Sequence, residues 1–174
     1  MLSKIFTTAA LFAALGMAVP APGDKLSNGM ILLAREADSS GGHLEFWGYA
    51  EGHEKRTTEA EASLERRACG GNIVSCYTSN VPDGNAVQNL LYELQNFQGT
   101  VPQAPRSVCR ETNGKLACAS WSTDVGSIRP TWLYSAAAKT RDQCVTKGQS
   151  GRAREVNLGG KCTSQCLSNR RDGC

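Results

Sequence analysis

Eight cysteines, two adjacent basic pairs and a run of arginines near the C-terminus are the residues of this 174-residue chain whose types and spacing could carry chemistry. The cysteines (Cys69, Cys76, Cys109, Cys118, Cys144, Cys162, Cys166 and Cys174) are even in number, which suits disulfides formed in an oxidising compartment better than thiols. Lys55-Arg56 and Arg66-Arg67 are sites of the kind a kexin-like protease cuts, and a cut after Arg67 separates every cysteine from what precedes it. Adjacent basic residues also occur in solvated linkers, so the pairs are a hypothesis about processing. Arg152, Arg154, Lys161, Arg170 and Arg171 make a basic tail that would suit anionic lipid headgroups, wall polymers or nucleic acid, with ordinary solvated charge as the plainer reading.

Both histidines, His43 and His53, precede the cysteine-rich part. That part therefore has no imidazole for a Ser-His or Cys-His nucleophile or for a His-liganded zinc site. Asp83, Glu93, Glu111, Asp124, Asp142, Glu155 and Asp172 remain as carboxylates for glycoside hydrolysis, but nothing in their spacing brings two together. No catalytic residue, metal or cofactor is expected.

The surest positioning element is the stretch around Asn113-Gly114, a two-residue type I′ hairpin signal. It sets Thr112 opposite Lys115 and Cys109 opposite Cys118, so these two cysteines are expected to be bonded. Partners for the other six are open. Cys162 and Cys166, if helical, share one face and reach separate partners.

Upstream, Lys4 and the apolar run from Ile5 to Val19 read as a signal peptide cleaved after Ala18, too short for a membrane span and followed by Pro20 and Pro22. Residues 19–67 hold nine acidic and six basic residues, no cysteine and no sustained periodicity. They are expected to be a disordered pro-region, and residues 68–174, with twelve Lys/Arg against seven Asp/Glu, a basic mature domain.

Within that domain, Asn72 to Thr78 reads as a strand. Val87, Leu90, Leu91, Leu94 and Phe97 recur at helical spacing, with Asp83 as N-cap and Gly99 as stop. The hairpin follows. Pro130, Leu133, Ala136, Ala137, Thr140 and Cys144 mark a second helix, and Arg152 to Leu158 a further strand. The fold class is α+β: a small disulfide-rich sandwich in the split βαβ order (β-α-β-β-α-β), with an antiparallel sheet and two helices on one face. Trp121, Trp132, Tyr77 and Tyr134 are expected in the core rather than as a sugar-stacking platform.

Cys69-Gly-Gly-Asn, Val101-Pro-Gln-Ala-Pro-Arg106, Cys118-Ala-Ser-Trp121, Val156-Asn-Leu158 and the segment from Cys162 to Arg170 resemble the small secreted cysteine-rich fungal proteins with a WD-like domain. The resemblance spans roughly residues 69–174. No 40-residue repeat is present from which propeller blades could be built. The element order and dibasic leader also resemble fungal effectors with killer-toxin-like folds, an analogy of fold alone.

The function expected is that of a secreted, kexin-processed, non-enzymatic protein that acts extracellularly by binding, as an effector or an antimicrobial, killer-like toxin. Its target would be a host or competitor protein, an anionic lipid or a wall polymer; nucleic acid and a transmembrane segment are not expected. The alternatives are a precursor that releases a leader peptide around Gly41–Gly52, where Phe46, Trp47 and Tyr49 cluster, and a His-independent secreted hydrolase.

Overall fold

The computed structural model describes residues 24–37, 42–50 and 69–174. One antiparallel sheet of seven strands organises them. In chain order the elements are β1 (Met30–Ala37), β2 (His43–Tyr49), β3 (Ile73–Tyr77), α1 (Gly84–Asn96), β4 (Pro105–Thr112), β5 (Lys115–Trp121), α2 (Pro130–Gln143), β6 (Ser150–Leu158) and β7 (Lys161–Ser168). Across the sheet the strands run β1-β2-β4-β5-β7-β6-β3.

The series from β3 to β6 has the expected strand-helix-strand-strand-helix-strand order, and the class is α+β with an antiparallel sheet. Asn113 (φ 52°) and Gly114 (φ 74°) make the turn between β4 and β5, and the register that follows sets Thr112 against Lys115 and Cys109 against Cys118. Asp83 caps α1, its Oδ1 accepting from the backbone N–H groups of Asn85 and Ala86 at 3.0 and 3.1 Å. Val87, Leu90, Leu91 and Leu94 on α1, and Leu133, Ala136 and Ala137 on α2, are buried in one core with Phe46, Val108, Ala119, Trp121 and Leu167 of the sheet. Gly151 lets α2 lie close on β6, because a Cβ there would stand 2.5 Å from Thr140 Cγ2.

The disorder expected over residues 19–67 does not hold for the described part of that stretch: residues 30–37 and 43–49 are β1 and β2, and β2 pairs with β4 over Gly48 to His43. Leu44 and Phe46 enter the helix-side core, while Met30, Leu32 and Trp47 form a second cluster with Cys109 and Cys118. The folded unit thus begins well before Ala68, and His43, exposed at the start of β2 opposite Glu111, belongs to it.

Two further expectations change. Cys162 and Cys166 lie on a strand, β7, not on a helix. Tyr77 is 41% exposed, whereas Trp121 is buried and Trp132 and Tyr134 pack against the core. Ala18, Lys55, Arg56, Arg66 and Arg67 lie outside the described residues.

Four disulfides join Cys69 to Cys162, Cys76 to Cys144, Cys109 to Cys118 and Cys166 to Cys174. Among the described residues, no helix is long and apolar enough to cross a membrane, and no group of three or more His, Cys, Asp or Glu is placed to hold a metal ion.

Candidate anion-binding pocket

Cross-strand register lines up one row of residues on the sheet face away from the helices. Leu32 stands opposite Trp47, Trp47 opposite Ser107, Ser107 opposite Ser120, Ser120 opposite Cys166, Cys166 opposite Arg152, and Arg152 opposite Ser75. Facing residues in a row share a side of the sheet. Small side chains at Ser107, Ser120 and Cys166 leave a hollow between the bulk of Trp47 and Arg152.

The C-terminal tail roofs part of that hollow. Cys174 is bonded to Cys166, its carbonyl accepts from Asn80 Nδ2 at 2.7 Å, and Ser168 Oγ donates to the Gly173 carbonyl at 2.6 Å. The result is a cavity of about 210 Å³ walled by Met30, Tyr49, Arg106, Ser120, Arg152 and Arg171, among others.

Three guanidinium groups reach this cavity, and their surroundings differ. Arg171 is matched by carboxylates: it contacts Glu45 at 2.9 Å and Glu111 at 3.6 Å, and its guanidinium carbon lies 4.9 Å from the Trp47 ring centre. Arg152 donates to Ser164 Oγ at 3.0 Å and has no carboxylate within ion-pair distance among the described residues. Arg106 is nearly buried, donates to the Ser122 carbonyl and faces the Tyr49 ring at 5.7 Å. The one acidic side chain in the wall, Asp172, is held by Arg170 through two hydrogen bonds at 2.8 and 2.9 Å. Ser120 Oγ, also in the wall, is buried and makes no hydrogen bond among the described residues. A buried hydroxyl beside guanidinium groups suits an incoming anion, which can accept from both.

Of the basic residues singled out in the sequence, Arg152 and Arg171 meet here. Arg154 is exposed opposite Ile73, Lys161 donates to the Asp124 carbonyl at 3.0 Å, and Arg170 is turned to Asp172. Arg106, Ser120, Ser164 and Tyr49 were not anticipated. They come from four different strands or strand ends, and no local pattern announces them.

Beside the pocket Glu45 is fully buried and accepts from Arg35 at 2.8 Å, Arg171 at 2.9 Å and Trp47 Nε1 at 2.9 Å. Burial pushes its carboxyl up, but the Arg171 and Trp47 hydrogen bonds, the Arg171 charge and the Arg35 hydrogen bond together outweigh this and hold it below the usual carboxylate value of 4.5. A lowered folded-state pKa gives stability that is present above the unfolded pKa and lost as pH falls through the folded one. Urea-unfolding stability is therefore expected to drop below about pH 4.5, and the drop to be shallower in Glu45→Gln. An unchanged slope in that variant would assign the acid sensitivity to other carboxylates, such as Asp83, which the Lys115 hydrogen bond lowers in the same direction.

One antiparallel sheet with two helices on one side, four disulfides and an arginine-walled hollow on the other side define a disulfide-stapled α+β domain. A family model described as Fungal WD-like matches residues 49–174, and the chain belongs to that family. No curated protein and no solved structure matches it. The family match begins at the last residue of β2, so the rest of the β1–β2 hairpin precedes it. The killer-toxin analogy has no match behind it.

Proposed function

We propose that this fungal WD-like protein is secreted and acts by binding rather than turnover, taking an anionic group of an extracellular partner into the pocket beside Arg106 and Arg152. The observation that carries the reading is the convergence of guanidinium groups with the buried Ser120 hydroxyl on a cavity whose one acidic side chain is already engaged by Arg170. A cavity of about 210 Å³ fits a small anionic group, such as a sulfate, phosphate or carboxylate on a polymer or protein, rather than a large ligand. The apolar run before Ala18 supports entry into the secretory pathway, and Lys55-Arg56 and Arg66-Arg67 support cutting there by a kexin-like protease. An effector or antimicrobial role is the use proposed for that binding.

The precursor reading loses ground to the fold. Most of the Gly41–Gly52 stretch is β2, flanked by β1 and β4, and its Phe46 and Trp47 are buried. Releasing it would remove an inner strand.

Anion binding is tested by titrating the secreted protein with sodium sulfate, phosphate and acetate at constant ionic strength, following affinity by calorimetry. Arg152→Ala is expected to weaken the preferred anion by about tenfold, in the range of one charge-assisted hydrogen bond. Equal response of the wild type and Arg152→Ala would mean general salt stabilisation and would sink the pocket reading. Hydrolysis of a polysaccharide, nucleic acid or peptide by the purified protein would count against binding as the sole activity.

A further inference from the structure

All eight cysteines lie at or after Cys69 and bond among themselves. The β1–β2 hairpin is therefore joined to the cysteine-rich part by main chain alone, through residues 51–68, which contain the dibasic pairs Lys55-Arg56 and Arg66-Arg67. Yet the hairpin is built into the sheet. Its inner strand pairs with β4 from His43 opposite Glu111 to Gly48 opposite Pro105. Side chains on both faces of β2 are engaged: Phe46 lies 5.4 Å from the Phe97 ring on the helix side, and Glu45 and Trp47 meet Arg171 on the other.

We propose that the edge of β4 and the Arg171 side chain form an interaction surface whose partner is the chain's own N-terminal hairpin, held as a separate polypeptide after cleavage. The mature protein is then a two-chain, non-covalent complex, not residues 68–174 alone. Arg171 is the clamp. It sits on the tail stapled by Cys166–Cys174 and reaches back to the one buried carboxylate of the hairpin. Retention also keeps the anion pocket whole, since Met30 and Tyr49 of the hairpin line it. The occurrence of the two-chain form in the organism rests on the processing reading given above; the capacity to hold the hairpin does not.

The cut itself is hydrolysis of one peptide bond, with water as co-reactant and a new carboxylate and amine as products. The test uses the full secreted chain after its disulfides have formed. One sample is treated with a kexin-type protease, and a second carries a site-specific protease sequence in place of residues 57–63, so that a chain resistant to the first enzyme is still cut. Native mass spectrometry and gel filtration are expected to show both polypeptides together at the mass of the uncut protein, with two chains appearing only under denaturing conditions. In Arg171→Ala the cut hairpin is expected to dissociate at protein concentrations at least about tenfold higher than in the wild type, consistent with loss of a charge-assisted contact. A cysteine-rich chain that elutes alone after cutting, folded or aggregated, overturns the proposal. Protein from the native culture that is intact across residues 55–67 would sink the processing reading only, because the in vitro cut tests retention by itself.

Discussion

Replacing Glu45 by alanine is expected to lower stability by about 3 kcal/mol, the scale seen when one member of a buried ion pair is removed. The carboxylate is fully buried and accepts from three donors belonging to β1, β2 and the C-terminal tail. Without it, Trp47 Nε1 is left inside with no acceptor, and Arg171 keeps only the longer 3.6 Å ion pair with Glu111 and its place over the Trp47 ring. Arg35 is partly exposed and can turn to water, which is why the figure sits at the lower end of the buried-pair range. Glu45→Gln should cost less, since the amide oxygen still accepts from one donor. Urea midpoints of the two variants decide it. A loss for Glu45→Ala below about 1 kcal/mol would put this cluster among ordinary surface ion pairs.

The elements legible in the sequence are those whose pattern is local. Asn113-Gly114 carries its turn geometry in its residue types, and the leucines of α1 repeat at the helical period, so both could be placed without the rest of the chain. β2 could not be read this way. Leu44, Glu45, Phe46 and Trp47 are all buried because both faces of the strand are covered, and alternation disappears when neither face meets water. β1 is broken in phase by a register shift between Leu32 and Ala34. β7 hides for a third reason: Thr163, Ser164 and Gln165 are buried polar residues whose partners come from elsewhere in the fold, as when Gln165 Nε2 donates to the Leu133 carbonyl at 2.9 Å. The pocket was half legible. Net charge pointed to Arg152 and Arg171, but Arg106 and the serines join them only through the strand order.

Deleting the Cys76–Cys144 disulfide is expected to have the largest effect of any single bond removal apart from Cys69–Cys162. These two close sequence separations of 68 and 93, against 9 and 8 for Cys109–Cys118 and Cys166–Cys174. On the chain-entropy model a loop of the first size contributes about 4 kcal/mol, and the short ones nearer about 2.5. Position adds to length for Cys76–Cys144. β3 is an edge strand whose only sheet partner among the described residues is β6, and this bond ties it to the end of α2, which itself lies close over Gly151 of β6. The double variant Cys76→Ala/Cys144→Ala should therefore lower the urea midpoint and also steepen the transition, because the unfolded chain, no longer cross-linked over that span, exposes more surface. Hydrogen exchange should locate the damage, with amides of β3 exchanging well ahead of those of β4 and β5. A variant that keeps its midpoint within about 1 kcal/mol of the parent, with β3 still protected, would show that sheet pairing and core contacts alone hold this edge, and that the bond acts only on the unfolded chain to a degree the loop model overstates.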